Sequence, residues 1–214
     1  MHKSSISAII KLKVKTGVSY LQKKEEMRKM ILQKRSNLPS AKVEQWSKKI
    51  RQKFWQLFED KSFRKIMAYA SIRKEVETFT LLDEILENGY LLYLPYTKTE
   101  LKELGIAKIN NLELDLRIGN FSIQEPIPAR RLDEIPDQLD LVIVPAAAFS
   151  RSGYRIGYGG GYYDKFLAQL SSETLKVGFC YHKFLLASVP VEEHDQAVDI
   201  IITEQEIVRL KNEV

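Results

Sequence analysis

Apolar residues recur along this chain at two different periods, and the change from one to the other divides it. Over residues 21–37, "LQKKEEMRKMILQKRSN", Met27, Met30 and Ile31 share one face of an amphipathic helix. "LPS" interrupts the pattern, and Ser40 is placed to cap a second helix. In that helix Val43, Trp46, Ile50, Phe54 and Leu57 recur at helical spacing, as core residues do. From residue 65 the apolar stretches become short and continuous. "KIMAYA" (65–70), "YLLYLP" (90–95), "LDLVIVP" (139–145), "LKVGFCY" (175–181) and "VDIIIT" (198–203) read as buried strands. "TFTLLDEILENG" (78–89) reads as a helix capped near Thr78 and ending at Gly89. Thr203 with Glu206 predicts a capping box that opens a last short helix. Residues 98–137, with "EPIPARR", read as short strands and loops. Strands alternating with helices predict one three-layer α/β/α domain over 21–214, with a largely parallel sheet preceded by two N-terminal helices.

Composition changes this picture little. At 214 residues and 44% hydrophobic the chain can bury one sizeable core. No apolar run approaches the roughly 20 residues of a membrane-spanning helix. A lone cysteine, Cys180, leaves no partner for an internal disulfide and no multi-cysteine metal site; its apolar surroundings predict a buried thiol. Charge is more informative. Residues 1–65 hold 18 Lys/Arg against 5 Asp/Glu, while the remainder is acidic. A basic front half suits nucleic acid, a membrane surface or a phosphate-bearing ligand. Residues 1–20 are basic, serine-containing and free of both acids and arginine. They read as an N-terminal extension without structure of its own, with organelle import as a second reading. The expected location is cytoplasmic.

The candidate chemistry lies in "RIGYGGGYYD", residues 155–164. Five of the chain's ten glycines fall between Gly153 and Gly161. The stretch follows a predicted strand and enters "GYYDKFLAQL", which has helical spacing at Phe166, Leu167 and Leu170. A glycine-rich loop before a helix lets backbone N–H groups converge on an anion. A side chain at Gly160 would intrude there, and glycine can also hold φ > 0. Neither common phosphate motif fits, since Tyr162-Tyr163 follows the last glycine where a Walker loop has Lys-Ser/Thr. On spacing alone, a Gly/Tyr turn or an RNA-stacking segment remains open beside the anion cradle.

With its neighbours, "DLVIVPAAAFSRSGYRIGYGGGYYDKFL" resembles the signature of the 5-formyltetrahydrofolate cyclo-ligase family. "KKEEMRKMIL", "YASIRKEVET", "GYLLYLP", "FSIQEP" and "VPVEEHDQAVDIIIT" resemble its other segments, in order. Three departures stand out: Ser150 where the family has aspartate, Phe184 where glutamine is common, and "ELKELGI" in place of a Met-x-Phe segment.

The resemblance implies ATP-dependent cyclisation of 5-formyltetrahydrofolate to 5,10-methenyltetrahydrofolate, with Mg2+ and with small molecules as partners, on a monomer that engages neither membrane nor nucleic acid. It implies ATP contacts from Lys24, Arg28, Arg155, Ile156, Gly157, Tyr158, Gly159, Gly160, Gly161, Tyr162 and Tyr163. Ala70 and Glu75 would bind the folate together with Tyr158, Gly159, Gly160, Gly161 and Tyr162. Arg155 and Tyr162 would be catalytic, and Asp164 and Asp195 would hold the metal. Chemistry agrees with several of these. Lys24 and Arg28, four apart, share a helix face; Arg155 offers a bidentate fork to phosphate; two carboxylates with phosphate oxygens suit magnesium. Glu75, at a strand end, can accept from the amino-pyrimidine edge of a pterin. His182 and His194 read as bystanders. Two other readings stand beside this one: an RNA-binding module built on the basic half and the Gly/Tyr segment, and a different ATP-using enzyme on the same fold.

Overall fold

The computed structural model describes residues 20–59, 63–119, 123–132 and 139–210. The expected extension, apart from Tyr20, lies outside the described residues. Helix α1 (Tyr20–Ser36) buries Met27 and Ile31, with Met30 half-buried. Helix α2 (Ser40–Phe58) buries Ile50, Phe54 and Phe58, one turn apart each. Ser40 does not cap it: Pro39 holds the N-cap position in extended conformation, with no side-chain cap.

A seven-stranded sheet carries the core. Its strands are β1 (Lys65–Met67), β2 (Leu91–Lys98), β3 (Glu103–Ile109), β6 (Leu141–Val144), β9 (Leu175–Phe179), β11 (Ile200–Ile202) and β12 (Ile207–Arg209). They run in the order β12-β11-β9-β6-β1-β2-β3. The five central strands are parallel, and only the edges β3 and β12 are antiparallel. Every residue of β6 and β11 is buried, so both sheet faces are covered. This is the largely parallel α/β sheet that the alternating pattern predicts.

Helix α3 (Phe79–Glu87) stops at Gly89, whose φ of 78° lets the Tyr90 N–H return to the Ile85 carbonyl. Thr78 precedes it without capping it. Its hydroxyl donates to the Tyr69 carbonyl instead, and the Glu77 carboxylate accepts from the Phe79 N–H. The predicted C-terminal helix is a β-turn: Thr203 Oγ1 accepts from the amides of Gln205 and Glu206 and turns β11 into β12. The same hydroxyl chemistry serves a helix cap or a tight turn, and strand pairing decides between them. In the stretch least legible in sequence lie β3, the short helix α4 (Leu112–Asp115) and the small hairpin β4 (Leu116–Ile118) with β5 (Gln124–Pro126).

After β6 the chain leaves the main sheet. It forms β7 (Ala148–Ser150) and β8 (Arg155–Ile156), which join β10 (Leu185–Leu186) in a three-stranded sheet ordered β10-β7-β8. Phe179 of β9 meets Phe54 of α2 at 5.8 Å between ring centroids. Its neighbour Gly178 faces the other way, toward the Phe149 ring of β7. The small sheet therefore lies on the face opposite α2, and from its β8 end the glycine loop leads into helix α5 (Tyr162–Leu167). Ser150, the departure from aspartate, has a local role here, with its hydroxyl on the Ser152 hydroxyl and the Tyr154 carbonyl.

Phe149 seats this excursion by lying directly over backbone. A Cβ at Gly178 would stand 2.6 Å from its ring. Gly178→Ala is expected to cost about 1–3 kcal/mol of stability through overpacking, read from the urea midpoint. An unchanged midpoint would contradict this packing.

Candidate active site

The site is organised by one face of α1. Lys24, Arg28 and Arg35 lie 4 and 11 positions apart, which at helical periodicity places them in one row. The row extends roughly 16 Å along the helix axis from Lys24 to Arg35. Each cation meets a different part of the chain.

Lys24 is buried. Its ammonium donates to Asp195 Oδ1 and Oδ2 at 2.8 and 2.7 Å and to Glu192 Oε1 at 3.0 Å. Glu192, Asp195 and His194 gather so closely that one ligand atom from each lies within 4.8 Å of the others. The Lys24 ammonium stands where these oxygens converge. Hard carboxylate oxygens around a protein ammonium are also a suitable donor set for magnesium.

Arg28 touches the glycine loop itself. Its Nε donates to the Gly157 carbonyl at 2.8 Å, and it pairs with Glu25 on its own helix. The glycines answer to different demands. Gly159 (φ 101°) and Gly161 (φ 68°) hold the left-handed conformations, and a Cβ at Gly159 would meet the Arg28 guanidinium at 3.2 Å. Gly160 is absent from the positive-φ glycines, contrary to the sequence-based expectation. What excludes a side chain there is the Tyr162 ring, 2.6 Å from an ideal Cβ.

Arg155 is 5% exposed. Its Nη2 donates to Asp164 Oδ1 at 2.7 Å and its Nη1 to the Gln196 carbonyl at 2.6 Å. The same Asp164 oxygen accepts from the Gln196 N–H at 3.1 Å. The Asp164 and Asp195 loops therefore meet, while the ligand atoms that gather with Asp195 come from Glu192 and His194, not from Asp164. The fork expected to face phosphate is turned inward, because a guanidinium this buried must be paired. Burial pushes the Arg155 pKa down, and Asp164 opposes the shift.

At the far end of the row, Glu75 is held beside Arg35. Its Oε2 accepts from the Ile72 N–H at 3.0 Å, and its Oε1 accepts from the Tyr158 hydroxyl at 2.8 Å, with Arg35 Nη2 at 3.8 Å. Tyr158 in turn accepts a close hydrogen bond from Arg35. Burial pushes the Glu75 carboxyl up, while Arg35, the Ile72 amide and the Tyr158 hydroxyl pull it back. Arg35 and Glu75 line a small pocket with Tyr69, Cys180, Tyr181 and Phe184. Phe184, the second departure, is thus a pocket wall. Cys180 is the buried thiol expected, its pKa pushed up to about 12 by burial.

The remaining predicted residues divide. Tyr162 sits half-buried over Gly160, and Tyr163 packs its ring on the core with a hydroxyl that finds no partner among the described residues. Ala70 is half-buried just past β1. Ile156 is fully buried and pairs with Ala148, so its side chain belongs to the core. Leu101, in the third departure, is 61% exposed at the β2–β3 turn. Sequence reasoning missed Arg35 and Glu192. The seven-residue step from Arg28 could have shown Arg35; Glu192 carried no signal beyond its place in "VEEHD".

A largely parallel sheet with a glycine loop, aligned cations and buried carboxylates at one site is the build of an α/β enzyme for small anionic molecules. The chain belongs to the 5-formyltetrahydrofolate cyclo-ligase family, whose sequence model matches residues 20–204. It is 29% identical to the 5-formyltetrahydrofolate cyclo-ligase of Mycolicibacterium smegmatis, across 84% of this chain and 93% of that protein. The solved 5,10-methenyltetrahydrofolate synthetase of Aquifex aeolicus is 32% identical, with a TM-score of 0.76 over 89% of this chain and 94% of that one. The 5,10-methenyltetrahydrofolate synthetase structure from Mycoplasma pneumoniae matches with a TM-score of 0.66 at 27% identity, over 85% and 98%. Among the described residues no helix is long and apolar enough to cross a membrane.

The Arg155–Asp164 pair closes the base of the loop. Asp164→Ala strands a buried guanidinium, and breaking such a pair costs about 3–5 kcal/mol. Urea unfolding of the variant measures it; a loss under about 1 kcal/mol, the level of an exposed pair, would contradict a structural role for this contact.

Proposed function

We propose that this chain carries out the ATP-dependent cyclisation of 5-formyltetrahydrofolate to 5,10-methenyltetrahydrofolate, acting as a monomer on small-molecule substrates with magnesium. The observation that supports this most is the continuity of one site. A glycine loop and the cations Lys24, Arg28 and Arg155 make one end, and the Glu75 pocket makes the other, joined by Tyr158. An anionic phosphate chain and a flat ring bearing N–H donors are the two halves of that complement.

In this reading the substrate supplies the nucleophile. The formyl oxygen attacks the γ-phosphorus, the bond to ADP breaks, and the formyl carbon becomes an iminium bearing a phosphate ester. N10 then adds to that carbon, the ester oxygen leaves as inorganic phosphate, and the N10 proton departs with it. No serine, cysteine or histidine nucleophile is needed. The work of the protein is positioning and charge stabilisation, as phosphoryl transfer generally asks.

Arg28, on the glycine loop, and the backbone amides of Gly157 to Gly161 meet the phosphates. Tyr162, half-buried over Gly160, borders the reacting centre. Arg155 fixes the loop base through Asp164, and Glu75 accepts from the pterin N–H groups. Asp164 and Asp195 would hold the magnesium, which when bound neutralises phosphate charge. Lys24 holds Asp195 in the free protein, and its ammonium would be a further donor to phosphate oxygens if a metal took the carboxylate.

The RNA-binding alternative asks for free rings to stack bases. Here the Tyr163 ring is packed on the core, which favours the small-molecule reading.

Purified protein given 5-formyltetrahydrofolate, ATP and Mg2+ is expected to produce the methenyl chromophore, and to produce none when any one is omitted. Glu75→Gln is expected to raise the folate KM by about tenfold or more, the size of one charged hydrogen bond, with the ATP KM little changed. No chromophore from the wild type, or equal effects on both substrates, would overturn the assignment.

A further inference from the structure

Arg35 is the buried cation left without a part in the reaction above. It is 2% exposed, yet its guanidinium is incompletely used. Nη1 donates to the Ala146 carbonyl at 3.1 Å and Nη2 to the Tyr158 hydroxyl, while the buried Nε–H finds no acceptor among the described residues. Buried donors without partners are costly and rare, and one on a pocket wall points to a ligand that completes it. Arg35 lines the same pocket as Glu75, between walls that include Tyr181 and Phe184.

The two charged groups form a recognition couple, donors beside an acceptor. The Tyr158 hydroxyl occupies both at once, accepting from Arg35 and donating to Glu75. A ring edge that carries a carbonyl next to an N–H, a lactam, presents the same two functions on a rigid plane. We propose that Arg35 is a specificity-determining residue for the folate: with Glu75 it reads the lactam edge of the pterin, donating to the ring carbonyl while Glu75 accepts from the adjacent N–H groups. Tyr158 holds the couple in the free protein and yields its place to the ligand. Gly157 and Gly159 flank Tyr158, and Gly159 holds a φ of 101°. Lysine would not replace Arg35 here, since a point charge lacks the planar fork that holds Ala146 and the ligand together.

This inference rests on the folate reading of the site. Its test is a binding comparison by calorimetry on the full chain, without turnover. One ligand is 5-formyltetrahydrofolate; the other is its analogue with an amino group in place of the pterin ring carbonyl. The amino group turns an acceptor into a donor, and the neighbouring ring N–H becomes a bare nitrogen, so the polarity is reversed toward both Arg35 and Glu75. The wild type is expected to prefer the carbonyl form by about 10- to 100-fold, the range of one charge-assisted hydrogen bond. In Arg35→Gln the preference is expected to fall several-fold, leaving the share that Glu75 contributes, with Arg35→Lys between the two. A purely structural role would lower both affinities alike and leave their ratio intact, and that result would overturn the proposal. So would a wild type that binds the two equally well, a result that decides the point even if neither variant folds by circular dichroism. A wild type that binds neither ligand would bring down the folate reading itself, and this inference with it.

Discussion

Glu75, Asp164 and Asp195 are each held by a cation from a distant part of the sequence or from across the loop: Arg35, Arg155 and Lys24. Carboxylates this removed from water cannot remain charged alone, because removing one partner of a buried pair leaves an uncompensated ion. That requirement fixes the site. It anchors α1 along the loops, ties the loop base to the Asp195 segment, and holds the Tyr158 tip down on Glu75. The sheet supplies the platform and the ion pairs supply the register.

Under the proposed function, an arriving polyphosphate or divalent cation would meet groups that are already neutralised, so binding would exchange partners more than fill bare charges. In the proposed reading Lys24 would yield Asp195 to a metal, and Tyr158 would yield Glu75 to a ring edge. Arg155 stays where it is, since its carboxylate and carbonyl partners form the base on which the loop rests.

Hydrophobic period made most of the fold legible. The five central strands and α2 and α3 follow from continuous apolar runs and helical spacing, which burial alone dictates. What failed was local polar chemistry. Ser40, Thr78 and Thr203 each had the right residue type for a cap, and each was overruled by backbone context: a proline before the helix, a carbonyl at Tyr69, a strand waiting at Ile207. The site was legible where residues cluster in sequence, as in the glycine loop, and through family resemblance at Glu75 and Asp195. Arg35 escaped because a buried arginine in a basic helix looks like its solvated neighbours. Only its partner across the fold, 40 positions away, distinguishes it.

The central claim is that this site brings the formyl oxygen to the γ-phosphate, and the fate of that oxygen tests it most directly. 5-Formyltetrahydrofolate labelled with heavy oxygen in its formyl group is turned over with unlabelled ATP, and the released phosphate is read by mass spectrometry. The account predicts one labelled oxygen in each phosphate released. Unlabelled phosphate, its new oxygen drawn from water, would mean that ATP is hydrolysed apart from the folate and would contradict the mechanism built on this site.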